Sequence, residues 1–94
     1  MEFDWDDGNR DKNLGHGVHD WEIEEAILDP SSFVESTVIV DGEERHILFG
    51  QAVSSGKYLR VVYAVRMVGG KPAIRPISAV ETSRRNKRRY RRGR

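Results

Sequence analysis

The sequence predicts an α+β domain with two N-terminal helices, a four-stranded antiparallel sheet that a short N-terminal strand can join, and a C-terminal basic helix. Three observations carry this reading. Apolar residues recur at helical spacing in "HDWEIEEAILDP", the period changes to two from residue 33, and the last dozen residues are dense in arginine. Ninety-four residues suit one domain over 1–94, with a small core that buries about 60 to 65% of the unfolded surface.

In chain order, "EFDW" at 2–5 alternates polar and apolar residues and can pair as a short strand. Asp6 or Asp7 can then cap a first helix of one to two turns ending near Leu14, with Gly15 placed to turn left-handed beyond it. A second helix begins around His19. Val18 and Ile23 have the spacing of a hydrophobic staple, Glu22 stands three residues after His19 as in a capping box, and Asp20 offers an alternative cap. Ile23, Ala26, Ile27 and Pro30 mark one face, and Pro30 ends the run.

Four β-prone segments follow: "FVESTVIV", "ERHILFG", "KYLRVVYAVRM" and "PAIRPISAV". The short connections "DG", "SSG" and "GGK" favour hairpins, and hence a meander. In the third segment Leu59, Val61, Tyr63 and Val65 share one face, while Tyr58, Arg60, Val62, Ala64 and Arg66 share the other. Pro76 cannot donate to a ladder, which places its strand at an edge or at a bulge. The final "TSRRNKRRYRRGR" reads as a basic helix or tail over 83–94, capped by Thr82 or Ser83, with Tyr90 as its one large anchor. So polar a helix gains little from burial, and its order can depend on a partner that neutralises it.

The net charge of +1 conceals a strong asymmetry. Residues 1–82 carry all 15 acids against 8 of the 16 bases, and residues 83–94 carry the other 8 bases. An acidic body with a basic end points to a polyanionic partner or an acidic protein surface, and a solvated tail is the competing explanation. The absence of cysteine excludes disulfides, zinc ribbons and a thiol nucleophile, and suits a reducing compartment. There is neither a long apolar run nor a basic leader, so a cytoplasmic protein without a membrane span is expected.

No GxSxG, P-loop or dinucleotide fingerprint is present, and no cofactor is expected. His16 and His19 flank a helix start instead of sharing a helix face, which is poor spacing for a metal; no metal site is expected. The remaining polar set suits metal-free RNA cleavage, in which the 2'-hydroxyl attacks the adjacent phosphate. That reaction needs a base, an acid and cations around the five-coordinate phosphorus, and arginine supplies the last best through its planar, always charged fork. The strands supply Arg45, Arg60, Arg66 and Arg75, and the terminal segment adds Arg84, Arg85, Arg88 and Arg89. Plainer roles stand beside these. His16 can bond backbone at the helix junction, Glu43 and Glu44 read as solvated charges, and Trp5 and Trp21 read as core edge. Tyr90 can be a packing anchor or a stacking platform for an unpaired base.

The blocks "FDWDDGNRDKN", "HGVHDWEIEEAILDP", "GEER", "VVY" and "IRPISAVETSRRNKRRY" occur together and in this order from Phe3 to Tyr90. In this combination the chain resembles the BrnT family of type II toxins, small ribonucleases with a RelE/ParE-like fold. The resemblance implies an RNA-cleaving toxin inhibited by a BrnA-like ribbon-helix-helix antitoxin, with DNA reached only through that antitoxin. Carried over by position, it falls on His16, Gly17 and Val18, on Gly42, Glu43 and Arg45, on Ile74, Arg75, Ile77, Ser78 and Ala79, and on the basic stretch up to Tyr90. It departs at Gly15, Val80 and Asn86, where relatives commonly carry Lys, Arg and Glu.

The resulting expectation is a metal-independent endoribonuclease in which Arg45 and Arg75 stabilise phosphate and His16 serves as acid or base. Arg60, Arg84, Arg85, Arg88 and Arg89 would track RNA, and Tyr90 would stack on a base. Two alternatives stand beside it: a catalytically silent module that binds antitoxin or nucleic acid, and a ParE-like inhibitor of a protein target. For His16, spacing alone favours the structural role, and the resemblance brings catalysis level with it.

Overall fold

The computed structural model describes residues 1–83 together with 87 and 88. Its elements are a 3-10 turn Leu14–His16, helix α1 (Asp20–Leu28) and strands β1 (Phe33–Val40), β2 (Glu43–Ala52), β3 (Lys57–Val68) and β4 (Lys71–Glu81). The strands form one antiparallel sheet in the order β1-β2-β3-β4, the expected meander. Asp41 and Gly42 both have positive φ (51° and 78°), as a two-residue hairpin loop that follows the sheet's twist requires. The loop pairs Val40 with Glu43, which fixes the register from there along β1 and β2 up to a bulge between Val34 and Ser36.

Helix α1 crosses one sheet face, and Val18, Ile23 and Ala26 close over Leu48, Ala52, Leu59, Val61 and Ala79. Val18 and Ile23, the staple pair, are both fully buried. Glu22 is buried as well. The His19 backbone N–H donates to its Oε1 at 2.9 Å, and Lys57 Nζ stands 3.1 Å from its Oε2. Burial pushes the Glu22 carboxyl up, yet the bonds from the His19 backbone, Ser55 and Lys57 together carry it below its ordinary value. At the other end of the helix Asp29 accepts from the Ser31 and Gln51 backbone N–H groups, tying α1 to β2.

The expected helices need correction: the described residues hold one named α-helix and are mostly strand, in place of the two N-terminal helices and C-terminal basic helix expected. Residues 7–13 form turns instead of the first helix. Asp6 spends its side chain on the Gly8 N–H, Asn9 Oδ1 accepts from the Asp6 N–H, and Asp11 is left-handed at φ 56°, so no helical ladder propagates. The left-handed residue that closes the following 3-10 turn is Gly17, two residues beyond the expected Gly15. The terminal basic helix falls largely on residues 84–86 and 89–94, which lie outside the described residues. Lys87 and Arg88 have helical backbone, with the Lys87 N–H donating to the Ser83 carbonyl at 3.0 Å.

What residues 2–16 do instead is run along the outer edge of β4. Phe3 makes a parallel bridge to Ile74, whose N–H donates to the Glu2 carbonyl and whose carbonyl accepts from the Asp4 N–H. Asn9 Nδ2 donates to the Pro76 carbonyl, and the Ala79 N–H donates to Asn13 Oδ1 at 3.1 Å. Pro76, beside the bulge opposite Val62 and Tyr63, is thus the strand residue with no donor to satisfy, at an edge where its carbonyl has a partner. Removing the Asn13 amide strands the buried Ala79 N–H. Asn13→Ala is therefore expected to cost about 1–3 kcal/mol, measured as a lower midpoint in urea unfolding at unchanged m-value.

Candidate anion-binding site

Hairpin register decides which arginines meet. Counting back from the Gly69-Gly70 loop, Ala64 on β3 pairs with Arg75 on β4, so Arg75 and Arg66 point from the sheet face opposite α1. Glu43 on β2 reaches Arg66 across the strand boundary, which places Glu43, and Arg45 two residues on, on that face too. The side chains of Arg45, Arg66 and Arg75, with Lys12, line one shallow cavity of about 130 Å³, walled by Gly8, Asn9, Pro76 and Ile77. Three guanidinium groups and an ammonium on one small concavity carry the donor chemistry that suits a multiply oxygenated anion.

The charges there are already paired. Arg75 Nη1 and Nη2 hold the two Asp6 oxygens at 2.9 and 3.0 Å, and Nη1 also donates to Asp4 Oδ2 at 3.2 Å. Arg66 clasps Glu43 through Nε at 3.0 Å and Nη2 at 3.2 Å, and Arg45 Nε lies 3.6 Å from the same carboxylate. The Arg75 bond holds the Asp6 carboxyl below the usual carboxylate range, and the Arg66 bond does the same to Glu43. Bonding to Asp6 raises Arg75 in turn. Because both carboxyls have depressed folded-state values, their contribution to stability is complete above the ordinary carboxylate range. It fades as pH falls through the lowered values. Carboxyl-carbon NMR titration should accordingly place the Asp6 and Glu43 midpoints below those of an unfolded control.

Other candidates lie elsewhere. His16 is exposed beside the outer edge of β4, with Nδ1 3.2 Å from the Ala79 carbonyl, four residues and about 13 Å of strand from Arg75. It lines no part of the arginine cavity. Arg60 shares the face of Arg66 but stands six residues back, between Phe49 and Val80. Arg88 is exposed, whereas Arg84, Arg85, Arg89 and Tyr90 lie outside the described residues. Trp5 packs at the core edge with Nε1 donating to Glu24, and Trp21 is exposed and stacks on His19. Among the described residues no three His, Asp or Glu side chains gather in a group that could hold a metal, and no helix is long and apolar enough to cross a membrane.

In the sequence Arg66 stands among the strand arginines and Glu43 in the Gly42–Arg45 block without a site role, and Lys12 is not singled out, although a signal for the first two is present. Glu43 shares the parity of Arg45 on β2, and the β2–β3 register sets Arg66, with the parity of Ala64, on the same face. Nothing local pointed to Asp4 and Asp6, which meet Arg75 from the far end of the chain.

A small domain of one helix on a four-stranded antiparallel meander, with an arginine-lined cavity on the other sheet face, is the class that fold and site define. A family model described as ribonuclease toxin, BrnT, of type II toxin-antitoxin system matches residues 5–86, and the chain belongs to that family. It is thus a member of a family of ribonuclease toxins, a class that acts opposite an antitoxin partner. No curated protein matches the chain.

Proposed function

We propose that this chain is a metal-independent endoribonuclease that cleaves RNA by attack of the 2'-hydroxyl on the adjacent phosphate. The supporting observation is the convergence of Arg45, Arg66 and Arg75 from three neighbouring strands on one cavity with Lys12. In the five-coordinate transition state the phosphoryl oxygens gain charge, and forked donors fixed around them stabilise that state more than the ground state. Charge supplied by guanidinium groups leaves no step that calls on a metal. Arg45 and Arg75, the sequence candidates, take the phosphoryl oxygens together with Arg66. Arg60, Arg84, Arg85, Arg88 and Arg89 extend the positive track, with Tyr90 as a stacking residue. His16 is bonded at the β4 edge outside the cavity, so in this reading water takes the 2'-proton and protonates the departing 5'-oxygen while the guanidiniums hold the phosphoryl charge.

In this reading residues 1–94 form one toxin domain ending in the basic stretch 83–94. It works in the cytoplasm, and its inhibitor is a BrnA-like ribbon-helix-helix antitoxin through which alone it reaches DNA. A catalytically silent binding module is the second reading, favoured by the carboxylates that already occupy Arg75 and Arg66. Incubation with single-stranded RNA in excess EDTA separates the two. Fragments ending in 2',3'-cyclic phosphate support the nuclease, and RNA bound but left intact supports the module.

A further inference from the structure

Glu43 stands at the first position of β2, placed there by the tight Asp41-Gly42 loop. Its carboxylate receives Arg66 through two bonds and lies 3.6 Å from Arg45 Nε, an atom shielded from solvent that makes no hydrogen bond among the described residues. These contacts use the Nε and Nη2 edge of Arg66 and the Nε of Arg45. The other N–H groups of both guanidiniums find no acceptor among the described residues, and both side chains line the arginine cavity. Two cations this close repel each other and would swing toward water without an anion between them. We infer that Glu43 is a positioning residue for RNA cleavage: one carboxylate fixes Arg45 and Arg66, from adjacent strands, so that their free N–H groups meet the same phosphate.

This rests on the phosphate reading of the cavity given above. A role as general base fits the geometry less well. Glu43 is not among the groups that line the cavity, and its oxygens are engaged by Arg66. A carboxylate so held accepts a 2'-proton poorly.

The positioning role predicts opposite movements of two kinetic constants. Glu43→Gln removes a negative charge beside the cavity, so RNA binds at least as tightly and KM stays level or falls. The guanidiniums lose their alignment, so kcat falls by about 10- to 100-fold. Arg66→Ala should lower kcat by a similar factor. The double variant should be slower than Arg66→Ala alone by less than the full Glu43→Gln factor, because the carboxylate acts partly through Arg66 and partly through Arg45. Glu43→Asp keeps the charge and the hairpin while withdrawing the carboxylate by one methylene, and should give an intermediate kcat at unchanged KM.

The measurement is steady-state cleavage of a fluorophore-labelled, mixed-sequence single-stranded RNA, across pH, by the full chain and these variants. The inference is overturned if kcat is unchanged in Glu43→Gln or if the two losses multiply in the double variant. It is overturned equally if the variant loses only the acidic limb of the pH profile, the mark of a proton acceptor. A wild-type chain that leaves the RNA intact removes the nuclease reading itself, an outcome distinct from all of these.

Discussion

Gly50→Ala is expected to lower stability by about 3 kcal/mol, which for a chain of this size is a drop in Tm of about 10–20 °C. Gly50 lies where α1 presses on β2. A Cβ built there would stand 2.1 Å from the Ala26 carbonyl oxygen, 2.9 Å from its carbon and 3.2 Å from Ser32 Cβ. The closest obstacles are backbone, so no rotamer change relieves them, and the helix must lift from the sheet. Lifting it opens the contacts of Ile23 and Ala26 with Leu48, Leu59 and Val61, the centre of the core. Thermal unfolding of the two proteins side by side measures the effect. A Tm within about 3 °C of wild type would mean that the close approach of helix and sheet is not present in solution.

Arg75→Ala should lower RNA cleavage by about 10²- to 10³-fold while leaving the fold in place. Arg75 is the best anchored of the three cavity arginines, held by Asp4 and Asp6 in an orientation that requires no reorganisation when charge develops. Both aspartates retain access to water, so losing their partner changes folding stability little. Removing one phosphate contact should also reduce the dependence of log affinity on log salt by about 0.7 for a single strand. Cleavage and affinity are measured on the same oligonucleotide, with circular dichroism as the check on folding.

Much of the sheet was legible in the residues. The segment "FVESTVIV" is β1 as it stands, and the Gly-Gly loop sets the β3–β4 register from which Arg66 and Arg75 share a face by alternation, with Arg45 brought to that face by the β2–β3 pairing of Ala52 with Lys57. The staple of Val18 and Ile23 and the position of Glu22 likewise marked the start of α1. What was not legible is the path of residues 2–16. Asp6 and Asn9 carry the residue types of a helix start. Their side chains can cap a helix or satisfy a turn and a distant strand, and the choice depends on the unpaired edge of β4, some 67 residues away from Asn9. For the same reason the partner of His16 was not legible: only coordinates reveal the Ala79 carbonyl that its Nδ1 meets.

The seam along β4 has a further implication for how copies of this chain can associate. The outward groups of Ile74, Pro76 and Ala79 are engaged by the chain's own first residues, so a neighbouring molecule finds no template on that flank. Strand-on-strand stacking into long fibres requires two hospitable borders per subunit. Among the described strands β1 is the other border, and with one border sealed, association by this route would end at pairs instead of propagating.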